Sequence, residues 1–259
     1  MEIKAKKSLG QNFLHDENVL NRIATSTNAK ENDLIIEIGP GKGALTKKLK
    51  ATGATVLAFE IDERMIPILH ELEDDKTKMI FKDILKVDLK KELSNYTYNN
   101  LYVIANIPYY ITTPIIKKLI DSGLDIENIV LLVQKEFAER VSAKEGCKEY
   151  DSLTVYLNYY YKISKLFVVK NTCFTPVPKV DSAVIKFEKS SLKVSNENKF
   201  MKQIDDEFRF KRKTLKNNLK GYDWSKIYSF LESKGFKESV RAEEISLEEY
   251  IELTEYLVK

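Results

Sequence analysis

The sequence predicts an α/β fold: a parallel sheet with helices on both faces, followed by a small C-terminal all-helical domain. Three observations predict it. Strand-like and helix-like segments alternate from about residue 33 to 187, the pattern that repeated βα units produce. A glycine-rich turn, Gly39-Pro40-Gly41-Lys42-Gly43, stands directly between the first strand and the first helix of that series. Past Lys189 the strand signals stop, and Ser190-Ser191 opens a polar stretch that leads only into helices. The predicted domains are therefore residues 1–189 and residues 190–259.

Taken in order, Leu34 to Ile38 is a short apolar run that reads as a buried strand, and Ala44 to Ala51 follows as a helix. Thr55 to Glu60 is the second strand, Asp62 caps a helix running to about Leu72, and Lys78 to Phe81 is the third strand. Leu101 to Ala105 makes the fourth strand, Thr113 to Ile120 a helix, and Ile129 to Gln134 the fifth strand. Helices follow at Lys135 to Ala143 and Ser152 to Tyr160, then a closing pair of strands at Lys162 to Val169 and Val180 to Glu188. The C-terminal helices are placed near 198–219, 223–233 and 246–257.

Composition narrows the classes. Hydrophobic residues make up 43% and charged residues 31% of the 259, which excludes disordered and collagen-like chains. No apolar run approaches the roughly 18 residues of a membrane helix, and the first residues lead into no signal core, so a cytoplasmic protein is expected. Two cysteines, Cys147 and Cys173, make no disulfide framework and no metal-binding spacing. With only His15 and His70, zinc and Ser-His-Asp chemistry start weak, and no metal is expected.

The net charge of +3 says little, but its distribution says more. Residues 199–220 hold eight Lys or Arg against three acids, whereas residues 221–259 hold nine acids against five bases. Phe200, Ile204, Phe208 and Leu215 recur at helical spacing, so the basic block reads as a helix presenting cations to phosphates.

In open α/β sheets, ligands bind at the carboxyl ends of the strands, so the turns after strands one to four carry the chemistry. The glycines of the first turn let the backbone approach a ligand before a helix N-terminus. Glu60 ends strand two, where an acid accepts ribose hydroxyls, and Asp83 follows strand three, where a carboxylate takes an adenine amine. Together they describe an adenosyl pocket. The G-x-G-x-G spacing differs from the dinucleotide fingerprint and favours S-adenosylmethionine, which has no pyrophosphate to seat.

Strand four ends in Asn106-Ile107-Pro108-Tyr109, which looks like the tetrapeptide of methyltransferases acting on exocyclic amines of nucleobases. Four further segments accompany it in order: Leu9-Gly10-Gln11-Asn12-Phe13-Leu14, Phe174-Thr175-Pro176-Val177-Pro178-Lys179-Val180-Asp181-Ser182-Ala183-Val184, Phe210-Lys211-Arg212-Lys213-Thr214-Leu215 and Arg241-Ala242-Glu243-Glu244. This set resembles the small-subunit ribosomal RNA adenine dimethyltransferases of the KsgA type along nearly the whole chain. The resemblance implies a Rossmann-like methyltransferase sheet, S-adenosylmethionine as cofactor, and dimethylation of two adjacent adenosines near the 3′ end of small-subunit (16S) RNA. It also implies a monomer acting on that RNA or on a pre-ribosomal small subunit.

Carried over residue by residue, Asn12 and Leu14 lie over the cofactor and Gly39 and Gly41 meet its methionine portion. Glu60 takes the ribose, Asp83 and Ile84 the adenine, Ile61 is a further cofactor-binding residue, and Asn106 faces both cofactor and target. Lys42 departs from the small or apolar residue expected within the glycine turn. The Asn106 side-chain oxygen and the Pro108 carbonyl accept the two N–H bonds of the target amine, while Tyr109 and Phe174 stack on the flipped base. Lys6, Lys7, Arg209, Lys211, Arg212 and Lys213 are the RNA-binding candidates. Three alternatives stay open: an enzyme of the antibiotic-resistance type acting on large-subunit RNA, a non-catalytic RNA-binding assembly factor, and a DNA adenine methyltransferase.

Overall fold

The computed structural model describes residues 3–258. Its sheet holds seven strands: β1 (Leu34–Ile38), β2 (Thr55–Phe59), β3 (Thr77–Ile80), β4 (Leu101–Asn106), β5 (Ile126–Gln134), β6 (Tyr161–Val169) and β7 (Ser182–Lys189). They lie in the order 3-2-1-4-5-7-6. The first five run parallel and β7 runs antiparallel to β5. All five residues of β1 are buried, as a central strand covered on both faces requires. The order reverses at β1, which has β2 on one side and β4 on the other, and that reversal opens a crevice at the carboxyl ends of these strands.

The chain divides into two compact units, Met1–Ala138 with Ser164–Lys189, and Glu139–Ile163 with Ser190–Lys259. Ile35, Val56, Ile104, Val130 and Val184 form the heart of the first. Phe200, Ile204, Leu231, Tyr250 and Leu253 form that of the second, together with Tyr150, Val155 and Tyr159. The sequence expectation drew one boundary, at 190. The second unit also takes in 139–163, because the apolar face of the helix Ser152–Tyr160 packs among the C-terminal helices. No helix among the described residues is long and apolar enough to cross a membrane.

Two predicted helices are broken. The one expected from Asp62 to Leu72 is a 3-10 turn (Glu63–Met65), a single α-turn (Ile66–Leu69) and a second 3-10 turn (His70–Leu72). Pro67, which offers no N–H, sits at the start of the middle piece. The helix expected over 198–219 ends at Glu207, and 208–214 is a loop, exposed from Arg209 to Lys213, before Leu215–Asn218. Asn218 explains the break. Its side-chain Nδ2 donates to the Glu207 and Phe210 carbonyls, replacing the N–H groups that further helical turns would have aimed at them. The basic block is thus a loop and not a helix face. Two helices escaped the sequence reading, Glu17–Ala24, capped by Asp16, and Leu89–Leu93.

Glu207 is fully buried; Gln203 Nε2 donates to Oε1 at 3.0 Å and Oε2 has no partner among the described residues. Burial pushes its carboxyl up to about 8. Between the ordinary carboxyl range and pH 8 the unfolded chain has lost this proton while the fold retains it, so stability falls as pH rises across that window. The expected slope is about 1.4 kcal/mol per pH unit for each such group. Thermal midpoints measured from pH 5 to 8.5 should drop in the wild type and drop less in Glu207→Gln. Identical slopes would show that Glu207 ionises normally.

Candidate active site

One cavity of about 700 Å³ lies at the switch point, lined from four strand ends and from the N-terminal segment Leu9–His15. Asn12, Leu14, Gly39, Gly41, Glu60, Ile61, Asp83, Ile84, Asn106, Pro108 and Tyr109 all line it. Residues almost 100 positions apart meet there because β1 to β4 are adjacent parallel strands that all end on one side.

Glu60 is the best-defined group. It is 4% exposed, its Oε2 accepts the Gly41 N–H at 2.9 Å and its Oε1 accepts the Asp62 N–H at 2.9 Å. Burial raises its pKa, against these two donors. Gly41 lies in the left-handed region (φ 56°), and a Cβ there would stand 3.1 Å from the Phe13 ring, so the turn packs directly beneath the N-terminal segment. Lys42, the departure in this turn, places its ammonium 5.0 Å from the centroid of the same ring.

Glu37 was not singled out in the sequence, although an acid inside an otherwise apolar strand was a visible signal. It is 1% exposed on β1 and lines the cavity, and Thr46 Oγ1 donates to its Oε2 at 2.6 Å. Burial, with Glu60 adding to it, pushes Glu37 up to about 8. The cavity lining therefore carries two buried carboxyls with raised pKa values, groups that a cationic ligand would draw toward their ionised form.

Asp83 Oδ1 accepts the Leu85 N–H at 3.1 Å and so fixes the turn Ile84–Lys86, leaving Oδ2 3.8 Å from Lys86. Ile61 is 54% exposed on the rim while Ile84 is buried. The N-terminal segment is strapped to this side. Gln11 Nε2 donates to Asp62 Oδ2 at 2.8 Å, and Arg64 donates to both Asp62 oxygens and to the Lys4 carbonyl. Arg64 holds Asp62 down at about 2. Nothing in the sequence singled out this strap.

Asn106, the last residue of β4, turns its Nδ2 toward the Asn12 carbonyl at 3.5 Å, which leaves Oδ1 as an acceptor. The Tyr109 hydroxyl is hydrogen-bonded to buried Ser182 at 2.6 Å, so its ring is fixed beside the cavity. Tyr110, 62% exposed, packs against Gly10 of the strap.

One expectation changes. Phe174 is 1% exposed and packs with Leu14, Leu20 and Val184, in register with Leu14 on a two-stranded ribbon. It presents no face to a base, and its neighbour Thr175 lines the cavity instead. The Pro108 carbonyl accepts the Ile111 N–H at 3.2 Å, closing a turn, and keeps a second lone pair. Of the RNA candidates, Lys6 and Lys7 are exposed just ahead of the cavity-lining Leu9, and Arg209, Lys211, Arg212 and Lys213 are exposed on the 208–214 loop of the second unit.

The sequence matches the family model described as ribosomal RNA adenine dimethylase over residues 2–259. The chain belongs to the ribosomal RNA adenine dimethylase family. Curated relatives include a ribosomal RNA small subunit methyltransferase A of Streptococcus pneumoniae, 43% identical over 97% of this chain and 91% of the relative. The protein of the same name from Ligilactobacillus salivarius is 42% identical over 98% and 90%. Among solved structures, a dimethyladenosine transferase from Plasmodium falciparum superposes with a TM-score of 0.75 at 26% identity, over 93% of this chain and 95% of that one. The 23S rRNA methyltransferase ErmE shares the fold, with a TM-score of 0.78 at 22% identity over 96% and 100%.

The dimethylase family uses S-adenosylmethionine, and the cavity fits that group. Glu60 is an acceptor held rigid by two backbone donors, Ile61 offers uncovered apolar surface at the rim, and a Cβ at Gly39 would meet nothing nearer than the Asn106 carbonyl at 3.8 Å.

Proposed function

We propose that this chain dimethylates the exocyclic amines of two adjacent adenosines near the 3′ end of small-subunit (16S) ribosomal RNA, as a monomer acting in ribosome biogenesis. The observation that carries this reading is the 43% identity, over 97% of the chain, to a curated small subunit methyltransferase A. The likeness to ErmE lies in the fold, so the large-subunit alternative has no comparable support. An intact amine-aiming tetrapeptide beside a fitted cavity favours turnover over a purely binding role.

Bound S-adenosylmethionine supplies a methyl group on a positively charged sulfur. Glu60 accepts the ribose hydroxyls, Asp83 the adenine amine, and Ile61 and Ile84 flank that ring. Asn12 and Leu14 cover the donor from the strap, and Gly39 and Gly41 let the backbone approach its methionine end. The target amine donates one N–H to Asn106 Oδ1. The Pro108 carbonyl, which accepts the Ile111 N–H with one lone pair, takes the second N–H with the other. With both N–H bonds directed, the nitrogen lone pair points at the methyl carbon. Tyr109, fixed through Ser182, stacks on the base. The proton displaced from nitrogen leaves to water, so no histidine is needed.

Mass spectrometry of ribosomal RNA from cells with and without this protein tests the substrate. Loss of dimethyladenosine from small-subunit RNA is expected; loss from large-subunit RNA would overturn the assignment.

The second unit, with its basic loop, serves RNA recognition in this reading. Replacing Arg209, Lys211, Arg212 and Lys213 with glutamine should flatten the salt dependence of binding to small ribosomal subunits, by roughly 0.7 to 0.9 in log-log slope for each phosphate no longer neutralised. An unchanged slope would remove the loop from the RNA-binding face.

A further inference from the structure

The loop after helix Glu197–Glu207 carries more than charge. Phe210 is 51% exposed in the middle of its four cations. Single exposed apolar side chains are common, so exposure by itself decides nothing. The backbone beneath this ring decides it. The Phe210 carbonyl accepts the Lys213 N–H at 2.9 Å and Asn218 Nδ2 at 3.3 Å, and Asn218 is itself buried, at 5% exposure, while also holding the Glu207 carbonyl. Just beyond, the Leu215 N–H donates to the Val240 carbonyl at 2.8 Å. The loop is therefore anchored at Phe210 and at its exit, and the ring is displayed on an ordered backbone, which lowers the entropy lost when it is covered.

The charges around the ring are divided. Arg209 is committed to Asp206. The Lys213 ammonium lies 4.9 Å from the Phe210 ring centroid, covering one face. Lys211 and Arg212 are exposed and make no ion pair among the described residues. A half-exposed ring with a cation over it, followed in the chain by two exposed cations that make no ion pair, matches a nucleobase between two phosphates. It matches a base pair poorly, because both faces of a paired base are already stacked.

We propose that Phe210 stacks on an unpaired base of the RNA substrate, with Lys211 and Arg212 on the adjoining phosphates. This rests on the reading of the loop as an RNA-binding face and adds to it the kind of RNA bound: a loop, bulge or single-stranded segment.

Phe210→Ala should bind small ribosomal subunits about 5- to 150-fold more weakly, the range that one base–aromatic stack is worth. The salt slope should not change, because the ring neutralises no phosphate. Phe210→Trp should restore affinity. Trp224 is the only tryptophan, so Phe210→Trp placed in a Trp224→Phe background gives one reporter. Its fluorescence should be quenched by a short RNA hairpin with an unpaired loop and not by a fully paired duplex. Wild-type affinity in Phe210→Ala, or a reporter blind to the hairpin, would overturn the proposal; so would quenching by anionic lipid vesicles alone, which would mark a membrane surface. If Lys211→Gln/Arg212→Gln flattens the salt slope while Phe210 variants bind normally, only the stack is wrong. If that double variant leaves the slope intact as well, the RNA-face reading itself fails.

Discussion

Asn106→Ala is expected to slow methyl transfer by about 10²- to 10³-fold, the scale of one preorganised hydrogen bond withdrawn from a reacting centre. The reason lies in the target. An adenine amine is a weak nucleophile whose lone pair is delocalised into the ring, and it gains reactivity when both N–H bonds are held so that the lone pair leaves conjugation. Asn106 can hold one of them because it is the terminal residue of β4, paired with Leu132 of β5 and oriented through Nδ2 toward Asn12. Alanine keeps the strand and loses the acceptor. Affinity for S-adenosylhomocysteine should change only a few-fold, since Glu60, Asp83 and Ile61 are untouched. Asn106→Asp, which retains an acceptor oxygen, should recover part of the rate. Single-turnover tritiated-methyl transfer to unmodified small subunits gives the rate and calorimetry gives the affinity. A near-wild-type rate in the alanine variant would detach the tetrapeptide from the chemistry.

The sheet and the cavity lining were legible because they depend on local signals. Runs such as Leu34–Ile38 are buried on both faces whatever surrounds them, and the turns that follow such strands converge once the strands are parallel. What escaped depends on pairings between distant residues. The tie from Gln11 to Asp62 spans 51 positions and has no periodic signature. The helical pattern across 199–220 was real as a pattern, but Asn218 reaches back to the Glu207 carbonyl and the chain leaves the helix there. Phe174 sits in a motif associated with base stacking, yet its pairing with Leu14 turns the ring into the apolar cluster and leaves Thr175 at the cavity. Glu37 lay in plain view as an acid in a buried strand, and only the neighbouring Glu60 and Thr46 show why its ionisation matters.

Glu60→Gln should produce the opposite kinetic pattern. The carboxylate accepts from Gly41 and Asp62 with one lone pair on each oxygen, which leaves the others for ribose hydroxyls. Glutamine places an NH₂ group against one of those backbone donors and loses the charge. At about 1.5 to 3 kcal/mol for each hydrogen bond to a charged group, affinity for the adenosyl ligand should fall on the order of 10²-fold or more, while the rate at saturating donor stays close to normal. The pH dependence follows from the same atoms. Burial raises the Glu60 pKa in the free protein and pushes Glu37 up to about 8, whereas a cationic donor and its ribose hydroxyls favour the ionised carboxylates. Binding should therefore strengthen as pH rises toward 8 and should release protons, visible as a buffer-dependent enthalpy in calorimetry. Glu60→Gln should lose the Glu60 share of that release and Glu37→Gln the rest. If the Glu60 variant binds the donor like the wild type, with proton release unchanged, the ribose contact lies elsewhere and Glu60 only braces the glycine turn.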